Sequence, residues 1–468
     1  MHDRRNAHSQ HGARMSTPLR RRLESTHPAD TAVDGARPAP PRSAGQSYSS
    51  TYVWYVIVLL FVVNAFSFMD RQALAMLAPS IKKDFGLSDG QLGLLTGFAF
   101  AAFYAVCAIP IARWADRGVR RDIVVLALST WSVMTALCGT AQNFGHLFLA
   151  RIGVGAGEAG GAPTAQSLLC DYVPLARRPF VLAIHTFGGG AGLMLGMMLA
   201  GWLGESIGWR ATFLTLGVPG IALALLVRLT LREPQRGRLE GRQAAEQHMP
   251  SLGDTLRFLW RCRTYRVLMI YAALSMLAAS ATQQWCPTFL MRVHGLEPSF
   301  VGFYLGLPMG VGTGIGLLAG GFVASKAAER DVRWPLLIGV GAVILMVPAT
   351  IAAYMVASPI ASMFWVFVLL LLNGVAVAPV VATIYSVVRP RMRATAGAVS
   401  IFWQSVLGSG SGPVIVGLLS DALAPSLGTE SLRYALLAPT CALPIMIVAL
   451  LAAARSLPRD LDAIGSRD

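Results

Sequence analysis

Apolar residues run along this chain in long unbroken stretches divided by short polar segments. They do not sit on one face of short helices, nor do they alternate. Twelve stretches approach or exceed the roughly 20 residues that cross a bilayer as a helix. They are 53–79, 91–112, 122–141, 146–170, 180–203, 211–231, 266–290, 299–324, 335–356, 361–388, 395–420 and 432–454. A polar segment from Arg232 to Arg263 divides six from six and carries a short surface-helix signal at Ser251–Trp260. Ten-residue alternating segments with aromatic girdles are absent, which argues against a membrane β-barrel. The pattern predicts an all-α membrane protein with twelve transmembrane helices in two six-helix bundles, 51–231 and 265–456, joined by a linker at 232–264. Residues 1–50 are rich in Arg, Ser, Pro and His and read as a disordered tail, with a second short tail at 457–468. The first apolar run is too long for a signal-peptide core and holds Asp70 and Arg71, so it reads as a span.

The two halves repeat. Phe85-Gly86-Leu87-Ser88 opens the second span as His294-Gly295-Leu296-Glu297 opens the eighth; Gly93 with Gly302 and Asp116 with Ser325 keep the same offset. Ala162-Pro163 pairs with Ala378-Pro379, and Pro174 with Pro390, at a slightly larger one. Parallel repeats of this kind build a binding site at their interface, which is a transporter architecture.

Composition agrees: 54% of the 468 residues are hydrophobic and 13% charged, about half the charge of a soluble chain. The net charge of +15 would suggest nucleic acid in a soluble protein, but topology accounts for it here. Of the 39 Lys and Arg, 32 fall on the termini and one alternating set of loops. Six lie on the other side: Lys82, Lys83, Arg151, Arg210, Arg292 and Arg433. Positive residues mark the cytoplasmic side, so both termini are expected inside. Low Lys with high Ala, Arg and Gly suits a bacterium of high genomic GC content, hence an inner membrane. The six cysteines, Cys107, Cys138, Cys170, Cys262, Cys286 and Cys441, have neither metal spacing nor a disulfide framework. No metal or other cofactor is expected. With no nucleotide loop and no nucleophile motif, neither is an enzyme. No nucleic-acid partner is expected, and a monomer is.

Three places carry charge where the pattern alone would not. The segment Ala112-Arg113-Trp114-Ala115-Asp116-Arg117-Gly118-Val119-Arg120-Arg121 lies between spans two and three. It resembles the G-x-L-A-D-R-x-G-R-R signature of the major facilitator superfamily, with Ala112 and Val119 at two glycine positions. An acid and several Arg at helix ends can latch one conformation and release it in another. Asp116, Arg117, Arg120 and Arg121 are the expected latch on the cytoplasmic side. Span four runs Arg151-Ile152-Gly153-Val154-Gly155-Ala156-Gly157-Glu158 and is similar to the superfamily pattern R-x-x-x-G-x-G. With Met69-Asp70-Arg71 in span one and Asp171-Tyr172-Val173-Pro174, the first half resembles the Spinster-related subfamily. The second half resembles the superfamily only.

An Arg within the membrane stays protonated and needs a carboxylate. Glu158 is the acid well inside another span, and spans one and four line the cavity in the resembled fold. An Arg71–Glu158 pair is therefore expected, with Asp70, about 100° away around the helix, as a second titrating group. Burial favours a neutral carboxyl and a guanidinium favours a charged one, so an acid between the two can load and release a proton. The bland alternative is a permanent structural ion pair. Asn64, Phe68 and Arg71 share a face of span one and, with Glu158, Trp285 and Asn373, are the expected cavity residues. His185 reads as a packed histidine more than as a proton relay. The run from Gly188 to Gly196 and the segment Gly408–Pro413 read as close-packing surfaces.

A charged first-half wall facing an apolar second-half wall suits an amphipathic solute. The Spinster resemblance implies lysophospholipid or sphingoid-type substrates moved by a proton-coupled, alternating-access carrier. A carrier of small organic anions or drugs is the alternative in the same class, and a non-transporting receptor is the alternative outside it. Expected partners are a small amphipathic or anionic substrate, protons and the lipid bilayer.

Overall fold

The computed structural model describes residues 48–235, 251–389 and 392–465. The tail predicted over 1–50 lies almost wholly outside these residues, as does the middle of the linker. Thirteen helices follow in order: α1 Ser50–Phe85, α2 over 89–117, α3 Arg120–Gly139, and α4 in two pieces, Phe144–Glu158 and Gly161–Tyr172. Then come α5 Arg178–Ser206, α6 Gly208–Thr230 and a short α7, Leu252–Arg261. The second half is α8 Arg263–Val293, α9 Pro298–Ala328, α10 Trp334–Met355, α11 Pro359–Ser386, α12 over 393–427 and α13 ending at Leu443–Gly465. Eleven described stretches are long and apolar enough to cross a membrane. The twelfth crossing, α4, is made of two shorter helices because it breaks at Ala159-Gly160, directly after Glu158. Leu149, Phe187, Leu229, Leu318 and Phe364 stand exposed on the helices. In water they would be a liability; against lipid tails they are the solvated surface.

The repeat is visible in the backbone. Gly86 and Gly295, matched by sequence offset, both take the left-handed conformation, with φ of 64° and 67°. Nothing crowds a Cβ at either position, so the sign of φ is what calls for glycine. Gly93 and Gly302, the next matched pair, both lie against the opposite half: Gly93 beside Pro413 and Val414 of α12, Gly302 beside Met197 of α5.

Lipid removes the hydrophobic drive between helices, so close approach over small residues holds them. Gly188, Gly192 and Gly196 of α5 recur every four residues and meet the backbone of Phe61, Ala65 and Met69 on α1. Among the described residues the halves meet along α5–α9 and α2–α12, packed closely from one end of these helices to about their middle, where Gly310 lies beside Gly190. A Cβ at Gly201 would lie 2.5 Å from Pro298 O, and one at Gly97 2.6 Å from Gly410 O. This end lies away from the Arg-rich loops. Two π-helical turns, Leu94–Phe98 in α2 and Gln404–Ser409 in α12, flank that contact.

Candidate functional site

The glycine seam on α5 fixes α1 so that its polar residues point into the first bundle. Asn64 Nδ2 donates to His185 O at 2.8 Å, tying the two helices one turn from the site. Arg71 reaches across to the last residue of the broken α4: its Nε lies 2.7 Å and its Nη2 2.6 Å from Glu158 Oε2. Ser67, one turn earlier on α1, donates its Oγ to the same oxygen at 2.6 Å. Glu158 Oε1 is buried without a hydrogen-bond partner. The expected pair is therefore formed.

The two ends of the pair differ. The Glu158 side chain is fully enclosed, whereas 25% of the Arg71 side chain is exposed. The guanidinium carbon sits 4.8 Å from the Phe68 ring centroid, 4.5 Å from Phe100 and 5.4 Å from Tyr104. Ring faces stabilise a cation while leaving its N–H edges free. Arg71 thus has one edge on a carboxylate, aromatic walls, and an open side. An anionic group could meet it there in bidentate fashion.

Asp70 points elsewhere, as its place on the helix predicts. It is 1% exposed, and Thr135 Oγ1 of α3 donates to its Oδ2 at 3.0 Å while Oδ1 has no partner. Arg151 lies within electrostatic range of it. The topology count put Arg151 at the outer rim; the structure corrects that. Arg151 is 1% exposed, 5.6 Å from the Phe100 centroid, with Nε and Nη1 unbonded. Counting by loop failed because α4 starts at Phe144, which carries Arg151 two turns into the helix.

Phe68 thus gathers with Arg71 and Glu158, whereas Asn64, two turns from Arg71 along α1, is spent on the bond to His185. Trp285 does not join them. It is 2% exposed, and its indole N–H donates to Pro413 O at 2.9 Å, packing α8 against α12. A large indole buries well between helices once its N–H finds a carbonyl, so here it is packing rather than cavity wall. Asn373 accepts from Ser275 Oγ at 2.9 Å and borders a small cavity inside the second bundle with Thr282, Thr350 and Thr440. His185 is 1% exposed with neither ring nitrogen bonded.

In the Arg-rich segment, Arg120 is 3% exposed and works within the first half. It donates to Asp171 Oδ2 at 2.5 Å and Glu233 Oε1 at 2.9 Å, and to Ser167 Oγ at 3.1 Å. The Arg121 amide donates to Glu233 Oε2 at 2.8 Å, and Arg117 is exposed. The Asp116 side chain lies outside the described residues.

A second ionic cluster, which the sequence reading did not isolate, closes the opposite end. Asp89, at the start of α2, takes Arg292 Nη1 at 2.6 Å and Nη2 at 2.7 Å, Ser420 Oγ at 2.6 Å and Lys82 Nζ at 2.5 Å. In return, Asp421 of α12 accepts from the amides of Asp89 and Gly90 at 2.8 and 2.7 Å, satisfying the free N–H groups at the start of α2. Arg292, Ser420 and Asp421 belong to the second half. Among the described residues, these bonds join the halves at this face.

Two six-helix repeats, glycine seams, an intramembrane ion pair within the first of them and closure at one face define a secondary-transporter fold. The comparisons agree. The family model described as Major Facilitator Superfamily matches residues 60–413, and the chain belongs to that superfamily. Within it the chain is Spinster-like. A structure of a bacterial homolog of the human lysosomal transporter Spinster, in an inward-facing and unoccupied conformation, superposes with a TM-score of 0.79 at 29% identity. The match covers 88% of this chain and 99% of that one. An MFS-type efflux pump of Mycolicibacterium smegmatis is 34% identical over 84% of this chain and 90% of its own length. Protein spinster homolog 1 of Xenopus laevis is 27% identical over 84% and 78%. The chain is thus a multi-pass membrane transporter of the alternating-access class, and not an enzyme.

Proposed function

We propose that this chain is a proton-coupled carrier of an amphipathic, lipid-like solute with an anionic head group, of the lysophospholipid or sphingoid type. The observation that carries the reading is Arg71: a fixed cation inside the membrane, held by Glu158, walled by three aromatic rings and a quarter exposed. Glu158 and the head group compete for its N–H edges. Protonation of Glu158 removes the negative charge that holds Arg71 and frees the guanidinium for the head group. Loss of that proton reclaims Arg71 and expels the head group. Asp70 is the second proton acceptor, with Thr135 and Arg151 balancing its charge. The resemblance to Spinster-related carriers implies a lipid-like substrate, and the largely uncharged second half is consistent with an apolar tail.

In this reading the Arg-rich face is cytoplasmic in a bacterial inner membrane, and both termini lie inside. The Asp89 cluster then closes the outer face, and the conformation faces inward. The carrier works as a monomer, and Asp116, Arg117, Arg120 and Arg121 latch the cytoplasmic face when the outer one opens. Only a state that binds the proton or substrate better is favoured by it; for Arg71 the differential contact is Glu158 against the head group.

A guanidinium with a free edge also binds a simple carboxylate, so a small organic anion is the second reading. Purified protein in liposomes with an imposed pH gradient distinguishes them. Gradient-dependent movement of a fluorescent lysophospholipid, with a short-chain organic acid unmoved, is the expected result. Movement of the organic acid alone would replace the lipid reading with the anion one.

A further inference from the structure

The short helix α7, Leu252–Arg261, divides its circumference into three sectors. Thr255 and Leu259 are buried against the protein, Leu259 in a cluster with Cys262, Tyr265 and Leu268 of the following segment. Leu252, Leu256 and Trp260, four residues apart, form a second sector and stand 55%, 43% and 73% exposed. Asp254, Arg257 and Arg261 take the third. A helix wholly in water gains nothing from presenting two leucines and a tryptophan in register. A helix lying in a membrane interface has this division: one side on protein, one in the acyl boundary, one in water.

The surroundings name the partner. The Arg266 guanidinium stacks over the Trp260 ring at 5.9 Å. Arg266 opens α8, and one turn deeper on that helix Ile270 is 47% exposed on the lipid-facing surface. The exposed stripe of α7 is therefore continuous with the lipid belt. Around it stand the exposed Arg257, Arg261, Arg263 and Arg266, with Arg455 and Arg459 on the neighbouring α13. Of the acids nearby, Asp254 pairs with Arg257 at 3.5 Å and Asp460 accepts from the Thr264 amide at 2.8 Å, leaving Asp462 exposed. With six Arg against three Asp the balance is positive, complementary to anionic lipid head groups. A Trp at the rim with Arg beside it is the side-chain pairing of a membrane interface.

We infer that α7 is an interfacial anchor that inserts Leu252, Leu256 and Trp260 into the leaflet on the Arg-rich side and gathers anionic phospholipid around Arg257, Arg261 and Arg266. The inference rests on the membrane-spanning fold and not on the identity of the transported solute.

The test uses the full chain in nanodiscs of phosphatidylcholine containing a fixed fraction of acyl-brominated lipid, either brominated phosphatidylcholine or brominated phosphatidylglycerol. Bromine quenches tryptophan on contact, and the difference between wild type and Trp260→Phe isolates the Trp260 signal. The Trp260 signal is expected to be quenched by both lipids, severalfold more by phosphatidylglycerol at equal mole fraction. Replacing Arg257, Arg261 and Arg266 together by Gln should bring the two lipids to equal quenching while leaving the phosphatidylcholine effect and the thermal unfolding profile unchanged. A Trp260 signal that neither lipid quenches would overturn the anchor, because α7 would then face water, a second copy of the chain or a soluble protein. Equal quenching by both lipids in the wild type would overturn the anionic preference.

Discussion

Asp89→Asn removes the charge at the centre of the cluster that joins the halves. The wild-type carboxylate is 3% exposed and receives two bonds from Arg292, one from Ser420 and one from Lys82, all between 2.5 and 2.7 Å. Lys82 lies in the same half as Asp89 and stays with it in either state. Arg292 and Ser420 lie in the other half, so their bonds exist only while this face is closed. Removing one member of a buried charge pair costs about 3–5 kcal/mol. The Arg292 side chain is 19% exposed and regains water when the face opens, so the closed state loses about 2–3 kcal/mol relative to the open one. That is a shift of roughly 30- to 150-fold in the ratio of states. A minor state at about 1% in the wild type would rise to between about a quarter and about 60%. Nitroxide labels at Ser206 and Glu297, exposed at the facing ends of α5 and α9, read this as a pair distance, with the native cysteines replaced. The wild type should give one dominant short distance and Asp89→Asn a second, longer population. Identical distance distributions for the two would refute the reasoning.

Three further results are expected. Gly97→Val should bias the protein in the same direction, because its Cβ would press on Gly410 O at 2.6 Å in the closed face; the same label pair reports it, and an unshifted distribution would contradict it. Arg71→Lys keeps the charge but loses the planar fork, so transport should need at least about tenfold more substrate for half-maximal rate, measured as initial flux against concentration; an unchanged KM would show that the fork is not used. Arg120→Ala removes the buried guanidinium that donates to Asp171, Glu233 and Ser167 and should destabilise the fold by about 2–3 kcal/mol. Thermal unfolding in detergent should fall by several degrees, and an unchanged midpoint would assign Arg120 a surface role.

The parts of this molecule that were legible in the sequence are those where the bilayer leaves a residue few options. Arg71 in a span requires an acid, Glu158 was available in another span, and the two bond. The left-handed Gly86 and Gly295 were marked by a repeat that kept one offset from Gly86 to Asp116. What lay hidden depends on which helix faces which. Nothing in the order of residues says that Phe100 and Tyr104 of α2 wall Arg71, or that Thr135 of α3 serves Asp70. Ser67 could have been found, since it precedes Arg71 by one turn on the same face. Asp89, Arg292 and Asp421 sit at helix ends, where charge is ordinary; only the meeting of the halves makes them a closure. Trp285 was misplaced because a large aromatic in a span serves packing and binding equally well, and its bond to Pro413 decides for packing.

The central claim is that Glu158 carries the proton that moves with substrate. Glu158→Gln keeps an oxygen for Ser67 and Arg71 but cannot exchange a proton. The decisive measurement is the pH inside liposomes, read with a trapped dye, as a lysophospholipid gradient is imposed across wild-type and Glu158→Gln protein. The wild type should move protons whenever substrate moves, and the variant should let substrate equilibrate with a much smaller change in internal pH, the remainder carried by Asp70. Substrate-driven proton movement of wild-type size in Glu158→Gln would contradict the account and leave the Arg71–Glu158 pair as a structural feature alone.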